Sequence, residues 1–114
     1  MRAIVCGGRD FADRQGLWDA LESFQNSEGR VTALAHGAAP GADSMAAQWA
    51  RDNGVPVVAY PAKWKTEGRA AGPLRNQRMI DDFRPDVVLA FSGGRGTADM
   101  IRRADVEGVR VVKL

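Results

Sequence analysis

The chain has 114 residues, with 16 Lys and Arg against 14 Asp and Glu, for a formal net charge of +2. That length suits one domain, residues 1–114, with its own core, and the charge balance is too even to indicate a nucleic-acid partner. A single cysteine, Cys6, excludes an internal disulfide. A single histidine, His36, excludes His-rich zinc sites.

Short apolar runs rich in Val and Ala alternate with segments of helical period, the pattern of repeated βαβ units. Strands are expected near Ala3 to Cys6, Val31 to Ala35, Val57 to Tyr60, Val87 to Phe91 and Val109 to Val112. Their starts lie about 22 to 30 residues apart, long enough for a helical crossover and too long for a hairpin. Leu17, Trp18, Leu21 and Phe24 mark the apolar face of the first helix, and Met45, Ala46, Trp49 and Ala50 that of the second. Asp43 is placed to cap the second helix and Gly54 to end it. Gly72-Pro73 opens the third, whose apolar face is expected to be Leu74, Met79, Ile80 and Phe83, and Arg84-Pro85 stops it. The fourth runs from about Thr97 to Glu107 and ends at Gly108. Between Pro61 and Gly72 lies the one long loop.

No apolar run approaches the ~20 residues of a membrane span. The opening Met1-Arg2-Ala3-Ile4-Val5-Cys6 reads as a strand rather than a signal peptide, so a cytoplasmic protein without a membrane partner is expected. Right-handed crossovers then favour an α/β, Rossmann-like three-layer α/β/α architecture with a five-stranded parallel sheet ordered 3-2-1-4-5. In that order strands one and four are neighbours, and the crevice at their carboxyl ends is the expected ligand site.

The loops leaving those two strands are Gly7-Gly8-Arg9-Asp10 and Ser92-Gly93-Gly94-Arg95-Gly96-Thr97. Glycine lets a backbone approach a phosphate, and the helix that follows supplies free N–H groups and a partial positive charge. Thr97 adds a hydroxyl. The loop from Ala35 through His36, Gly37 and Gly41 to Asp43 joins the same rim, as does the Pro61 to Gly72 loop. His36 either bonds a ligand or ties its loop in place, and Trp64 either covers the crevice, stacking on a base, or plugs its own loop. Arg9, Arg69, Arg75, Arg78 and Arg95 fall in or beside loops, where a guanidinium meets an anion or simply faces solvent. Trp18 and Trp49 are assigned to the core, and Cys6 to a buried, unreactive strand end. No metal-ligand spacing is present, and no cofactor is required.

Familiar nucleotide binders are excluded by motif. There is no G-x-x-x-x-G-K-[ST], the first loop lacks G-x-G-x-x-G, and Ala35-His36 stands where a dinucleotide dehydrogenase carries an acidic ribose ligand.

Five linked motifs carry a family resemblance. They are Gly7-Gly8-Arg9-Asp10-Phe11, His36-Gly37 with Gly41-Ala42-Asp43, Tyr60-Pro61-Ala62 with Trp64, Gly72-Pro73-Leu74-Arg75-Asn76 with Met79, and Gly93-Gly94-Arg95-Gly96-Thr97. Together they resemble the YspA, or cpYpsA-related, group of the SLOG superfamily. The resemblance implies a Rossmann-like sheet that binds nucleotides or nucleotide-derived ligands. The superfamily also contains the "lonely guy" phosphoribohydrolases and the DNA-processing DprA proteins.

The phosphoribohydrolases use an arginine before one helix and a glutamate shortly after a P-G-G-x-G-T motif, and Arg75 resembles that arginine. Here Ser92 replaces the proline, Met100 stands where the glutamate is expected, and Asp99 is one residue early, turned by about 100 degrees on a helix. Asp99 is thus either a displaced catalytic carboxylate or an exposed first-turn acid favoured by the helix dipole. The leading expectation is a binder or sensor of a nucleotide-derived, phosphate-bearing molecule. In it Gly93, Gly94, Gly96 and Thr97 cradle phosphate, Gly7, Gly8 and Arg9 meet a second polar group, and Arg75 with Asn76 and Arg95 completes the site. The enzyme alternative is an N-glycosidic hydrolase using Arg75 with Asp99 or Asp10. Single-stranded DNA binding is disfavoured, because aromatic residues interleaved with a basic groove are scarce. The charged final strand discourages open-ended pairing but leaves a homo-oligomer open.

Overall fold

A computed structural model describes all 114 residues. Five strands, β1 (Arg2–Cys6), β2 (Ala33–His36), β3 (Val57–Ala59), β4 (Val87–Ala90) and β5 (Arg110–Lys113), form one parallel sheet in the order β3-β2-β1-β4-β5. The helices are α1 (Arg14–Glu28), α2 (Ala42–Asp52), α3 (Trp64–Glu67), α4 (Ala71–Phe83) and α5 (Arg95–Val106), with a 3₁₀ turn at Gly68–Ala70. The expected α/β fold class and strand order are both present. No helix is long and apolar enough to cross a membrane.

Strand periodicity divides the core. Ala3 and Val5 on β1, with Val87 and Leu89 on β4, point to the side covered by Leu17, Leu21 and Phe24 of α1 and Trp49 of α2. Ile4 and Val88 point the other way, onto Met79, Ile80 and Phe83 of α4 and Met100 and Ala104 of α5. β4 is buried along its whole length, as a central parallel strand covered on both faces must be. Each such Leu, Ile, Phe or Met contributes about 1.5–3 kcal/mol when fully buried.

Several expected features are corrected. The Pro61 to Gly72 segment is not an open loop, since it contains α3 and the 3₁₀ turn. Asp43 does not cap α2: that position belongs to Gly41, whose φ is 78°, and Asp43 lies inside the first turn with its carboxylate turned back to the preceding loop. Leu74 is exposed, because the inward row of α4 runs Asn76, Met79, Ile80, Phe83 and places a polar residue where an apolar one was expected. Trp49 is buried, its Nε1 donating to Glu22 at 3.1 Å. Trp18, expected in the core, is only half-buried and lies beneath the Arg14 guanidinium, 4.2 Å from the ring centre.

Candidate functional site

The site is built where β1 and β4 deliver their glycine loops side by side. Gly8 N–H donates to the Ser92 carbonyl at 2.8 Å, locking the loops together. A Cβ on Gly93 would stand 2.7 Å from the Gly8 nitrogen and closer still to the Thr97 hydroxyl, so this contact admits only glycine. Gly7 is packed against Ala42 and Phe91. Gly94 and Gly96 have open space where a Cβ would be. The first pair of glycines therefore serves the protein's own packing, and the second leaves room above the start of α5.

No side chain caps α5. Its first internal bond runs from Ala98 N–H to the Gly94 carbonyl, 3.1 Å, and the N–H groups of Arg95, Gly96 and Thr97 have no partner in the chain. They carry the positive end of the helix dipole. The Thr97 hydroxyl likewise makes no hydrogen bond within the chain, although the residue is buried.

The neighbouring wall is the loop between β2 and α2. Asp43 accepts hydrogen bonds from Gly37 N–H at 3.0 Å and Ala39 N–H at 3.2 Å. Burial pushes its carboxyl up to about 6, with the Ala39 bond and the Arg75 charge working against that rise. His36 is buried and does not line the cavity. Its Nδ1 accepts from Ala38 N–H at 2.9 Å, within a turn where Ala38 takes a φ of 60°. Burial, then the charges of Arg51 and Arg75, lowers its pKa and keeps the ring neutral. Of the two roles considered for His36, the geometry supplies the loop tie.

Arg75 lies across this wall from α4. Its Nη1 donates to the Gly37 and Tyr60 carbonyls and its Nε to Asn76 Oδ1, leaving Nη2 without a partner. A Cβ on Gly37 would meet the guanidinium carbon at 2.7 Å, so a side chain there would push the Arg75 head group off this wall. Asn76 in turn donates to the Gly96 carbonyl at 3.2 Å and to Asp99 at 3.0 Å. Asp99 also accepts from Arg102 at 2.6 Å and Arg103 at 2.8 Å. It is 8% exposed, so the expected exposed first-turn acid is instead a buried tie between α4 and α5. Burial alone would raise its pKa, but the bonds from Arg103 and Asn76 and the charges of both arginines outweigh it and hold the carboxyl below its ordinary range.

These elements enclose a cavity of about 770 Å³, within the roughly 300–1,000 Å³ usual for small-molecule pockets. Gly7, Gly8, Gly37, Gly93, Gly94, Gly96 and Thr97 line it, as do Asp43, Arg75, Asn76 and Asp99. Arg9, Asp10, Arg95 and Trp64 reach it as exposed side chains. Arg9, Asp10 and Arg95 form neither an ion pair nor a side-chain hydrogen bond within the chain. Arg78 instead pairs with Glu67 at 3.3 Å, outside this cavity. Arg69, expected beside a loop, stands on the rim, whereas no sequence signal showed that Phe11, Met79 and Met100 form an apolar floor. Only the alignment of α4 over the strand ends reveals them. Cys6 also reaches the floor, and burial followed by the Asp43 charge pushes its thiol up to about 12, so it stays protonated.

Comparison with known proteins adds family membership. The model of the YspA, cpYpsA-related SLOG family matches residues 1–66. That range includes the first glycine loop and the His36–Asp43 loop but stops before Arg75 and the β4–α5 loop. The "Gene 61 protein" of Mycobacterium phage D29 is 36% identical over 118 aligned residues, covering 97% of this chain and 94% of that protein. No solved structure matches significantly. The chain belongs to the YspA, cpYpsA-related SLOG family.

Proposed function

We propose that this chain binds a nucleotide-derived, phosphate-bearing small molecule in the cavity between the β1–α1 and β4–α5 loops, as a binder or sensor without turnover. The observation that carries this reading is the uncapped start of α5. Three unpartnered N–H groups and a free threonine hydroxyl open onto the cavity that Arg9, Arg75 and Arg95 share, and none of these arginines has a carboxylate partner. Amides at a helix start with nearby guanidinium forks suit a phosphate group. Arg75 is held by neutral acceptors, which leaves its charge available to a ligand.

Catalysis is disfavoured by the state of the acids. Asp99 is saturated by three donor residues, and Met100 occupies the position at which the related hydrolases carry glutamate. One observation keeps N-glycosidic hydrolysis as a second reading: Asp10 is an exposed carboxylate at the cavity with no partner, able to stabilise an oxocarbenium-like centre. A thermal-shift panel of nucleoside mono- and diphosphates, ADP-ribose and cyclic nucleotides tests binding. A ligand at about 100 times its Kd should stabilise the fold by about 2.7 kcal/mol, and a flat panel with silent calorimetry would refute the reading. Incubation with nucleoside monophosphates, followed by chromatography, separates the alternatives: free base above the blank establishes hydrolysis, and its absence favours binding alone.

A further inference from the structure

Most of the cavity wall suits an anion, and one buried side chain on it does not. Asp43 is only 5% exposed, carries the wrong sign for phosphate, and is half used by the fold. Its Oδ2 accepts from both Gly37 N–H and Ala39 N–H, whereas Oδ1 accepts from nothing in the chain. No buried side-chain oxygen is left sealed without a partner, so Oδ1 opens onto the cavity that the residue lines. The other two acids at this cavity differ. Both oxygens of Asp99 are occupied by Asn76, Arg102 and Arg103, and Asp10 is exposed and free to turn to solvent.

A half-bonded carboxylate held away from water is costly, and burial accordingly pushes this one up to about 6. A donor on a ligand would offset that cost, and the neighbours limit what the donor can be. Gly37 separates Asp43 from Arg75: its N–H donates to the acid, its carbonyl accepts from Arg75 Nη1, and Nη2 has no partner. The charges of Arg75 and Arg9 both reach Asp43, so a cationic group would be repelled there. No group of acids, Cys and His is placed to hold a metal ion. An anion would meet the charge of Asp43 itself. A neutral hydroxyl suits the place, because it donates to Oδ1 and accepts from Nη2, whereas an amino group on an aromatic ring does only the first. We infer that Asp43 is the specificity-determining residue of the cavity, its Oδ1 accepting from a free hydroxyl of a phosphate ester, so that ligands lacking that hydroxyl are discriminated against. This rests on the phosphate-binding reading above and adds the group read beside the phosphate, whether or not a base is attached.

Calorimetry with ribose 5-phosphate against 2-deoxyribose 5-phosphate, and with AMP against its 2′-deoxy and 3′-deoxy forms, tests the inference. At least one deoxy ligand should bind the wild type about tenfold or more weakly than its hydroxyl-bearing parent. Asp43→Asn keeps a carbonyl for the two loop amides but turns an NH₂ donor to the cavity in place of the acceptor. With a cooperative melt showing that it folds, this variant should bind parent and deoxy ligand within about twofold of each other. In the labelled wild type, the Asp43 carboxyl carbon should shift with the parent and stay in place with the deoxy ligand, a readout that needs no variant. If deoxy ligands bind the wild type as tightly as their parents, if the Asp43 carboxyl carbon is unmoved by the parent, or if folded Asp43→Asn keeps the preference, the inference fails while phosphate binding stands. If no phosphate ester binds the wild type, the phosphate-binding reading fails and takes this inference with it.

Discussion

Two sets of polar and charged side chains surround the same cavity, and they are held in opposite ways. Arg75, Asn76, Asp99 and Arg103 form a continuous chain of hydrogen bonds linking α4 to α5, and Asp43 is fixed by two backbone amides. Arg9, Arg69 and Arg95 on the rim have no carboxylate partner. The difference separates residues that shape the cavity from those free to meet what enters it, with Arg75 belonging to both through its unpartnered Nη2 and Asp43 through its free Oδ1. Losing a member of the fixed set should therefore unfold the site, and losing a member of the rim should weaken a ligand.

The largest effect is expected at Asp99. Asp99→Ala removes the carboxylate that accepts from Asn76, Arg102 and Arg103, leaving Asn76 only the Gly96 carbonyl and Arg103 only Gln77, and should cost on the order of 3 kcal/mol in chemical denaturation, less whatever solvent already screens at the exposed Arg102. A loss below about 0.5 kcal/mol would move Asp99 out of the fixed set.

The next effect is a pH dependence. Asp43 has its carboxyl pushed from the ordinary 3.8 to about 6, so its ionised form is disfavoured in the folded state. Its cost to stability builds as pH rises from about 4 through 6 and is relieved on acidification, by on the order of 3 kcal/mol at most. His36 works in the opposite direction: its lowered pKa gives stability that is present above 6.5 and lost as pH falls below it. The comparison must therefore be between the wild type and Asp43→Asn, which keeps His36. Melting curves from pH 5 to 8 should show the wild type losing ground to the variant as pH rises. Parallel curves would mean that the loop amides already satisfy the ionised carboxylate.

At the rim, Arg95→Ala should weaken ligand binding about tenfold while leaving stability within about 0.5 kcal/mol, since its side chain is exposed and unpartnered. A large loss of stability instead would place Arg95 with the fixed residues.

How much of this was legible in the sequence follows from the same division. Strand order was readable because the apolar runs are spaced for right-handed helical crossovers, and runs such as Ala3–Val5 and Val87–Leu89 suit strands covered on both faces. The glycine loops were readable because backbone requirements leave a mark at fixed positions, as at Gly7 and Gly93. The interior polar chain was not. Asn76 looks like an ordinary helix residue until α5 is laid beside α4, and Asp99 looks like a dipole-favoured surface acid until Arg102 and Arg103 fold back onto it. Asp43 was misread as a helix cap because its sequence position suits one, whereas its true partners, Gly37 and Ala39, precede the helix. The short helix at Trp64–Glu67 has too few residues for a periodic signal.

The most direct test is an amide NMR titration of the labelled protein with AMP and ADP-ribose. The account predicts that the largest shifts fall on the free N–H groups of Arg95, Gly96 and Thr97, with smaller ones at Gly37 and Ala39, whose amides are already bonded to Asp43. Saturating ligand that leaves the first turn of α5 unshifted, or shifts a surface away from this cavity, would contradict it.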